Sequence, residues 1–165
     1  MNRILLVLFP FLLVAACTPD EDVPIVPEII YKSYFIEPDT VTQFNEDKIK
    51  VVFEYIDGDG DIGNPSTDTL NTPVIFADYF EKRNGECVQI QPQIGGDTLA
   101  YEYPIPSLTP EGENKAIRGE ITITIDAYIL PRNTLKELKY RIYLVDRMGH
   151  ESNVIETPVI QYNTP

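Results

Sequence analysis

IRGEITITIDAYI, residues 117–129, decides the fold class. Ile121, Ile123 and Ile125 alternate with Glu120, Thr122, Thr124 and Asp126. A strict period of two marks a strand with one face buried and one face wet. The isoleucines and threonines are β-branched, which suits a pleated, half-buried surface. The same period recurs in both directions along the chain. Lys48 to Tyr55 puts Ile49, Val51, Phe53 and Tyr55 on one face, with Lys50 and Glu54 on the other. Leu138, Tyr140, Ile142 and Leu144 make a second clear buried face.

Shorter candidates fill the gaps: Tyr31–Ile36, Val74–Lys82, Cys87–Ile90, Leu99–Tyr103 and Val154–Tyr162. Asn84-Gly85 joins two of them as a two-residue hairpin, because both turn positions favour positive φ. Helical periodicity is confined to one or two turns at Asn133–Lys139. Tyr103 to Gly112 holds three prolines and reads as an irregular loop or edge. The chain is therefore expected to be all-β, a single antiparallel sandwich or small barrel of about 7–8 strands. The ending LKYRIYLVDRMGHESNVIETPVIQ resembles the last two strands of immunoglobulin-like or fibronectin-like domains, with Tyr140 where such domains often carry a corner tyrosine. That resemblance implies an immunoglobulin-like β-sandwich over residues 29–165, lacking the cysteine pair and tryptophan of antibody domains.

The other end of the chain has a different character. MNRILLVLFPFLLVAAC opens with Arg3, runs apolar from Ile4 to Leu13, and closes on small residues before Cys17. This is the layout of a secretory signal peptide, residues 1–16. The uncharged run from Ile4 to Thr18 is 15 residues, short of the roughly 20 that a spanning helix needs. Val14-Ala15-Ala16-Cys17 resembles a bacterial lipobox. The resemblance implies cleavage before Cys17 and a covalent lipid on it, with three acyl chains anchoring the protein to the membrane stably. Residues 17–28 then form an acidic, proline-rich tether that is expected to be extended and poorly ordered. Asp20, Glu21 and Asp22 in it resemble the surface-export signals of Bacteroidota lipoproteins, which implies an outer-membrane, surface-exposed location; a plain solvated linker is the alternative.

Composition narrows the partners. Cleavage leaves 149 residues, one domain by length, with 12 basic against 26 acidic side chains and a formal charge of −14. That balance disfavours nucleic acid and anionic lipid surfaces as partners and favours solubility, cations and basic partners, so no nucleic acid is expected. Of two cysteines, Cys17 goes to the lipid and Cys87 has no partner for a disulfide. A lone cysteine of this kind is expected to pack as a small hydrophobe.

One motif carries chemistry. Asp57-Gly58-Asp59-Gly60-Asp61-Ile62-Gly63 spaces three carboxylates at alternate positions on a flexible backbone. Dense oxygens suit calcium, which takes 6–8 of them. The run follows an EF-hand loop at its first three ligand positions and departs from it at Ile62, where that loop needs glycine. Asp68 stands where the bidentate glutamate would be. A calcium loop between strands and a glycine-rich turn with solvated acids are both open readings. In a sandwich of this type the loop after the second strand and the loop between the last two strands share one end. Asp57, Asp59 and Asp61 are therefore expected to meet Asp146, with Glu151 near them, around a Ca²⁺ ion.

The glycine–aspartate run, together with Asp146, Arg147, Gly149, Ser152 and Asn153, resembles a signature of small Bacteroidota outer-membrane lipoproteins of unknown function. It implies no activity. His150, the one histidine, is expected in an exposed turn. No nucleophile elbow, zinc-protease helix or phosphate loop occurs, so no catalytic residue is assigned and a non-catalytic binding or scaffolding module is expected, its partner an unidentified protein or glycan. Two other functions stay open. Tyr101, Tyr103, Tyr128 and Tyr143 would serve an accessory glycan-binding lipoprotein if they face outward. A pair of buried carboxylates would serve a hydrolase.

Overall fold

A computed structural model describes residues 23–38, 47–90, 100–109, 115–126 and 135–163. The described chain forms nine strands: β1 (Glu28–Glu37), β2 (Lys48–Asp57), β3 (Ile75–Arg83), β4 (Glu86–Gln89), β5 (Ala100–Tyr103), β6 (Ile117–Asp126), β7 (Leu135–Leu144), β8 (Ile155–Glu156) and β9 (Ile160–Asn163). All strand pairs are antiparallel. Among the described residues no helix is long and apolar enough to cross a membrane.

Two sheets face each other. The first has the order β1-β2-β6. The second is centred on β3 and β7, which pair from Ile75↔Leu144 to Glu81↔Leu138. β5 and β4 lie end to end along the free edge of β3, on Ile75–Asp78 and Phe80–Arg83. β8 and β9 likewise share the outer edge of β7. β1, β2 and β6 thus form one layer and β3, β4, β5, β7, β8 and β9 the other, a two-sheet antiparallel sandwich.

The alternation read from sequence is what closes the sandwich. Ile49, Val51 and Phe53 of β2 are fully buried, and Ile123 and Ile125 stand beside them on β6. Ile75, Ala77 and Tyr79 of β3 and Leu138, Tyr140, Ile142 and Leu144 of β7 line the buried face of the second sheet. Tyr140 is the aromatic centre, tilted on Tyr79 at 5.8 Å and edge-on to Tyr101 at 6.1 Å. The Asn84-Gly85 hairpin forms as expected, with φ of 53° and 89°.

Three expectations are corrected. Residues 135–139 belong to strand β7 and not to a helical turn; pairing with β3 and β9 overrides a weak local preference. Val154–Tyr162 is two short strands, not one, because Pro158 has no N–H for the ladder. Thr157 bridges the break by donating its N–H to Tyr140 O (3.0 Å) and accepting Tyr140 N–H on Oγ1 (3.0 Å). Cys87 is half-buried on edge strand β4, not a core residue. Ala127–Ile129, including Tyr128, lie outside the described residues, as do the expected signal segment 1–16, Cys17 and the first half of the expected tether, and Asn133.

Removing the Phe53 ring from the seam between the sheets should cost about 3–5 kcal/mol. Equilibrium denaturation of Phe53→Ala checks this. A lower midpoint at unchanged slope is expected, and a loss under ~1 kcal/mol would mean the seam is not the core.

Candidate metal centre

The register of β2 places the first acid. Ile49, Val51, Phe53 and Tyr55 face inward, so Asp57 at the next alternate position faces inward too, and it is 0% exposed. The chain then leaves the sheet through the glycine–aspartate run. Asp57 Oδ2 accepts the N–H of Asp61 at 2.9 Å, which folds the run back on itself. Ile62 plugs the core with no exposed surface, which is why this loop cannot follow an EF-hand beyond its third ligand position. Gly60 has φ 71°, and a side chain there would meet the Lys115 carbonyl oxygen at 2.3 Å.

Three other segments hold the loop. The proline-rich stretch after β5 runs alongside it: Asn64 N–H donates to Ile105 O (2.8 Å), Ser107 N–H to Asn64 O (2.8 Å) and Leu108 N–H to Ile62 O (3.1 Å), and the Thr109 hydroxyl donates to Gly60 O. The loop after β7 contributes Arg147 N–H to Asp61 O (3.3 Å) and Met148 N–H to Asp61 Oδ2 (3.2 Å). From the N-terminal side, Pro24 O accepts Gly58 N–H at 2.9 Å. The stem from Val23, expected in the tether, thus meets the domain at Pro24, and Pro27 is buried before β1 begins at Glu28.

Asp57, Asp59 and Asp61 each bring one carboxylate oxygen to within 4.8 Å of the others, a group that could hold a metal ion. Oδ1 of all three is buried without a hydrogen-bond partner. Burial pushes the Asp57 carboxyl up to about 6, opposed by the Asp61 N–H and reinforced by the charges of Asp59, Asp61 and Asp146. Asp61 is also raised, first by burial and then by Asp146 and Asp59, with Arg147 acting against them.

Elsewhere the protein treats a buried carboxylate differently. At the opposite end of β3, Glu81 accepts from the Tyr79 hydroxyl (2.9 Å), Arg83 Nε and Nη2 (3.2 and 2.9 Å) and Lys136 Nζ (3.3 Å). Burial there is outweighed by those donors, and Glu81 sits below the ordinary glutamate range. A cavity of about 350 Å³ beside it is lined by these same compensated charges. The aspartate cluster has dense negative charge, buried oxygens and few donors, which is the arrangement a cation satisfies.

The remaining sequence candidates fall into place around the cluster. Asp146 is at the same end and its charge reaches Asp57 and Asp61. Its own oxygens are occupied, Oδ1 by His150 N–H (2.8 Å) and Oδ2 by His150 Nδ1 (2.8 Å). His150 is therefore a structural partner, a role its sequence position does not reveal. Asp68 accepts Leu70 N–H (2.8 Å) and Thr72 N–H (3.0 Å) in a self-contained turn away from the cluster. Tyr101 and Tyr103 pack against the core, and Tyr103 donates to Thr124 O (3.1 Å). Tyr143 stacks on Phe76 at 5.0 Å on the opposite face of its sheet. These three do not form one outward platform. No family model, curated protein or solved structure matches the chain.

A raised carboxyl pKa makes the folded state hold its proton where the unfolded chain has lost it, so stability falls as pH rises through about 4 to 6. In chelator the protein should unfold at a higher temperature at about pH 5.5 than at about pH 7.5. Asp57→Asn keeps an acceptor for Asp61 N–H and removes the charge; at the higher pH in chelator it should stabilise by ~1–2 kcal/mol and flatten the pH response. Destabilisation by this variant in chelator would show that the charges do not repel.

Proposed function

We propose that this protein is a lipid-anchored binding module of the cell envelope, non-catalytic, whose sandwich carries a calcium ion in the Asp57–Asp59–Asp61 loop. The single observation that carries the cation is the set of three buried, unpartnered Oδ1 atoms in one cluster. An all-oxygen, all-carboxylate donor set suits a hard cation and gives zinc neither nitrogen nor sulfur. Magnesium demands near-ideal octahedral geometry and keeps its waters, whereas calcium tolerates irregular oxygen cages. Asp57, Asp59 and Asp61 would hold the ion directly. Asp146, gripped by His150, adds negative potential from the next shell outward.

The cation's role in this reading is architectural. The cluster lies where the β2 loop, the loop after β5, the loop after β7 and the N-terminal stem meet. Neutralising it makes that end rigid and leaves the rest of the surface to a protein or glycan partner at the outer membrane, on its exposed face. A hydrolase reading asks the same carboxylates to flank a substrate bond. Oxygens within 4.8 Å of one another, three of them sealed from solvent, fit an ion better than a sugar ring. The anchor in this proposal is the lipid on Cys17, supported by the signal and lipobox pattern of residues 1–17.

Calcium that binds only the folded state at a hundredfold excess over Kd adds about 2.7 kcal/mol, roughly 5–10 °C in unfolding midpoint for a domain this size. Thermal unfolding of the purified lipoprotein in millimolar calcium against chelator tests it. The shift should vanish in Asp59→Ala and be smaller with magnesium; an unchanged midpoint in the unmutated protein would falsify the site. Cys17→Ser should lose all fatty-acid label in growing cells, and label retained on that variant refutes the anchor.

A further inference from the structure

The aspartate loop is also where the chain enters the domain. A side chain on Gly58 would lie 2.4 Å from the Val23 carbonyl oxygen, so only glycine lets the stem pass this close. The stem continues through buried Pro27 into β1. There Asn153 accepts Ile29 N–H (2.8 Å) and donates to Ile29 O (2.9 Å). The stem is thus held at two points, at Pro24 by the loop after β2 and at Ile29 by the segment after β7.

Cys17 precedes Val23 by six residues, a reach of at most roughly 20 Å. A ten-residue strand runs about 33 Å, so the Asn84-Gly85 pole at the far end of β3 stands well beyond the reach of a short tether. With the lipid on Cys17, which this inference takes from the reading above, the aspartate pole is the one held near the bilayer. That pole also exposes apolar side chains. Met148 is 73% exposed, although its own N–H is bound to Asp61 Oδ2. Ile25 and Val26, next along the stem from Pro24, are 56% and 45% exposed. Strand β1 exposes Ile30 and Phe35 as well, but among ion pairs such as Lys32–Glu54 and Lys50–Glu37, so it is the tether that singles out the aspartate pole. Without a counter-charge, Asp57, Asp59, Asp61 and Asp146 repel lipid phosphates and keep those apolar groups off the surface.

We infer that the aspartate pole is a membrane-seating face: with the cluster cation-loaded, Ile25, Val26 and Met148 enter the headgroup layer of the phospholipid bilayer to which Cys17 is tethered. Cation and lipid act together. The ion removes the repulsion and fixes the β2 loop against the β7 loop that presents Met148. The apolar side chains supply the contact. The tether keeps the pole at the surface throughout, so the cation sets the orientation of the domain and not its attachment.

The test uses the lipidated protein carrying Cys87→Ser and Met148→Cys, labelled on its one free thiol with an environment-sensitive fluorophore. It is reconstituted by its own anchor into vesicles of phosphatidylethanolamine and phosphatidylglycerol. Millimolar calcium should shift the emission to the blue and at least double it. Chelator should reverse the change, and Asp59→Ala should abolish it. The same label at Glu86→Cys, on the far pole, should stay silent. Ile25→Cys provides a second reporter should Met148→Cys fold poorly. No response at either site, an equal response at Glu86→Cys, or a response that needs added envelope protein overturns the seating face. If calcium still raises the unfolding midpoint in any of those cases, the metal centre stands without it; loss of the midpoint shift defeats the metal centre itself.

Discussion

The inward register of β2 is the constraint on which the aspartate pole depends. Four apolar residues at alternate positions commit that face to the core, and Asp57 inherits it. A carboxylate forced into that position must find donors, find a cation or stay protonated. It finds one donor, the Asp61 N–H, and that bond curls the loop so that two more acids come beside it. The dense charge at this pole therefore follows from strand geometry, with no need for the loop to have been shaped independently of the sheet.

The two short motifs, far apart along the chain, prove to be one structure. Asp57–Gly63 leaves the first sheet, and Asp146–Asn153 leaves the second. Backbone donors of Arg147 and Met148 hold Asp61. Ser152 replaces a ladder partner for Leu144, accepting its N–H on Oγ at 3.0 Å. Asn153 ties the second sheet to the first strand of the other through Ile29. Asp146 and His150 close the turn between them. Asp146, Ser152 and Asn153 of the second motif thus each satisfy a backbone group, and the Arg147 side chain reaches the Ser107 hydroxyl, which gives the motif a structural account.

Most of the fold was legible because alternation is a local signal with a single cause. Burial of one face shows directly in residues such as Ile121 to Asp126 and Leu138 to Leu144. The strand was lost to view where the cause was not local: Thr157 patches the ladder at Pro158 through a partner 17 residues away, and residues 135–139 take their conformation from β3 and β9. At the site, the three aspartates could be read from spacing, and the burial of Asp57 from the register of β2. The grip of His150 on Asp146 could not, since a histidine four residues from an acid has no fixed meaning in a turn. Nor could the clasp of Ile105, Ser107 and Leu108 on the loop, which is made by backbone groups that carry no side-chain signature.

Glu81 and Asp57 show what distinguishes the two poles. Both are buried acids near strand ends, and desolvation pushes the pKa of each upward. Around Glu81 the chain supplies a hydroxyl, a guanidinium and an ammonium, and the acid stays ionised below its usual range. Around Asp57 it supplies further acids, and the carboxyl rises to about 6. Fixed side-chain donors bind one carboxylate permanently and make its pole indifferent to the medium. A cluster of like charges stays open to protons and to any cation it can hold, because no fixed donor neutralises it. The stem from the N-terminus enters at the responsive pole, through Pro24 on Gly58. Whatever changes the charge there acts on the point where the stem enters the domain, before it acts on any surface the sandwich presents elsewhere.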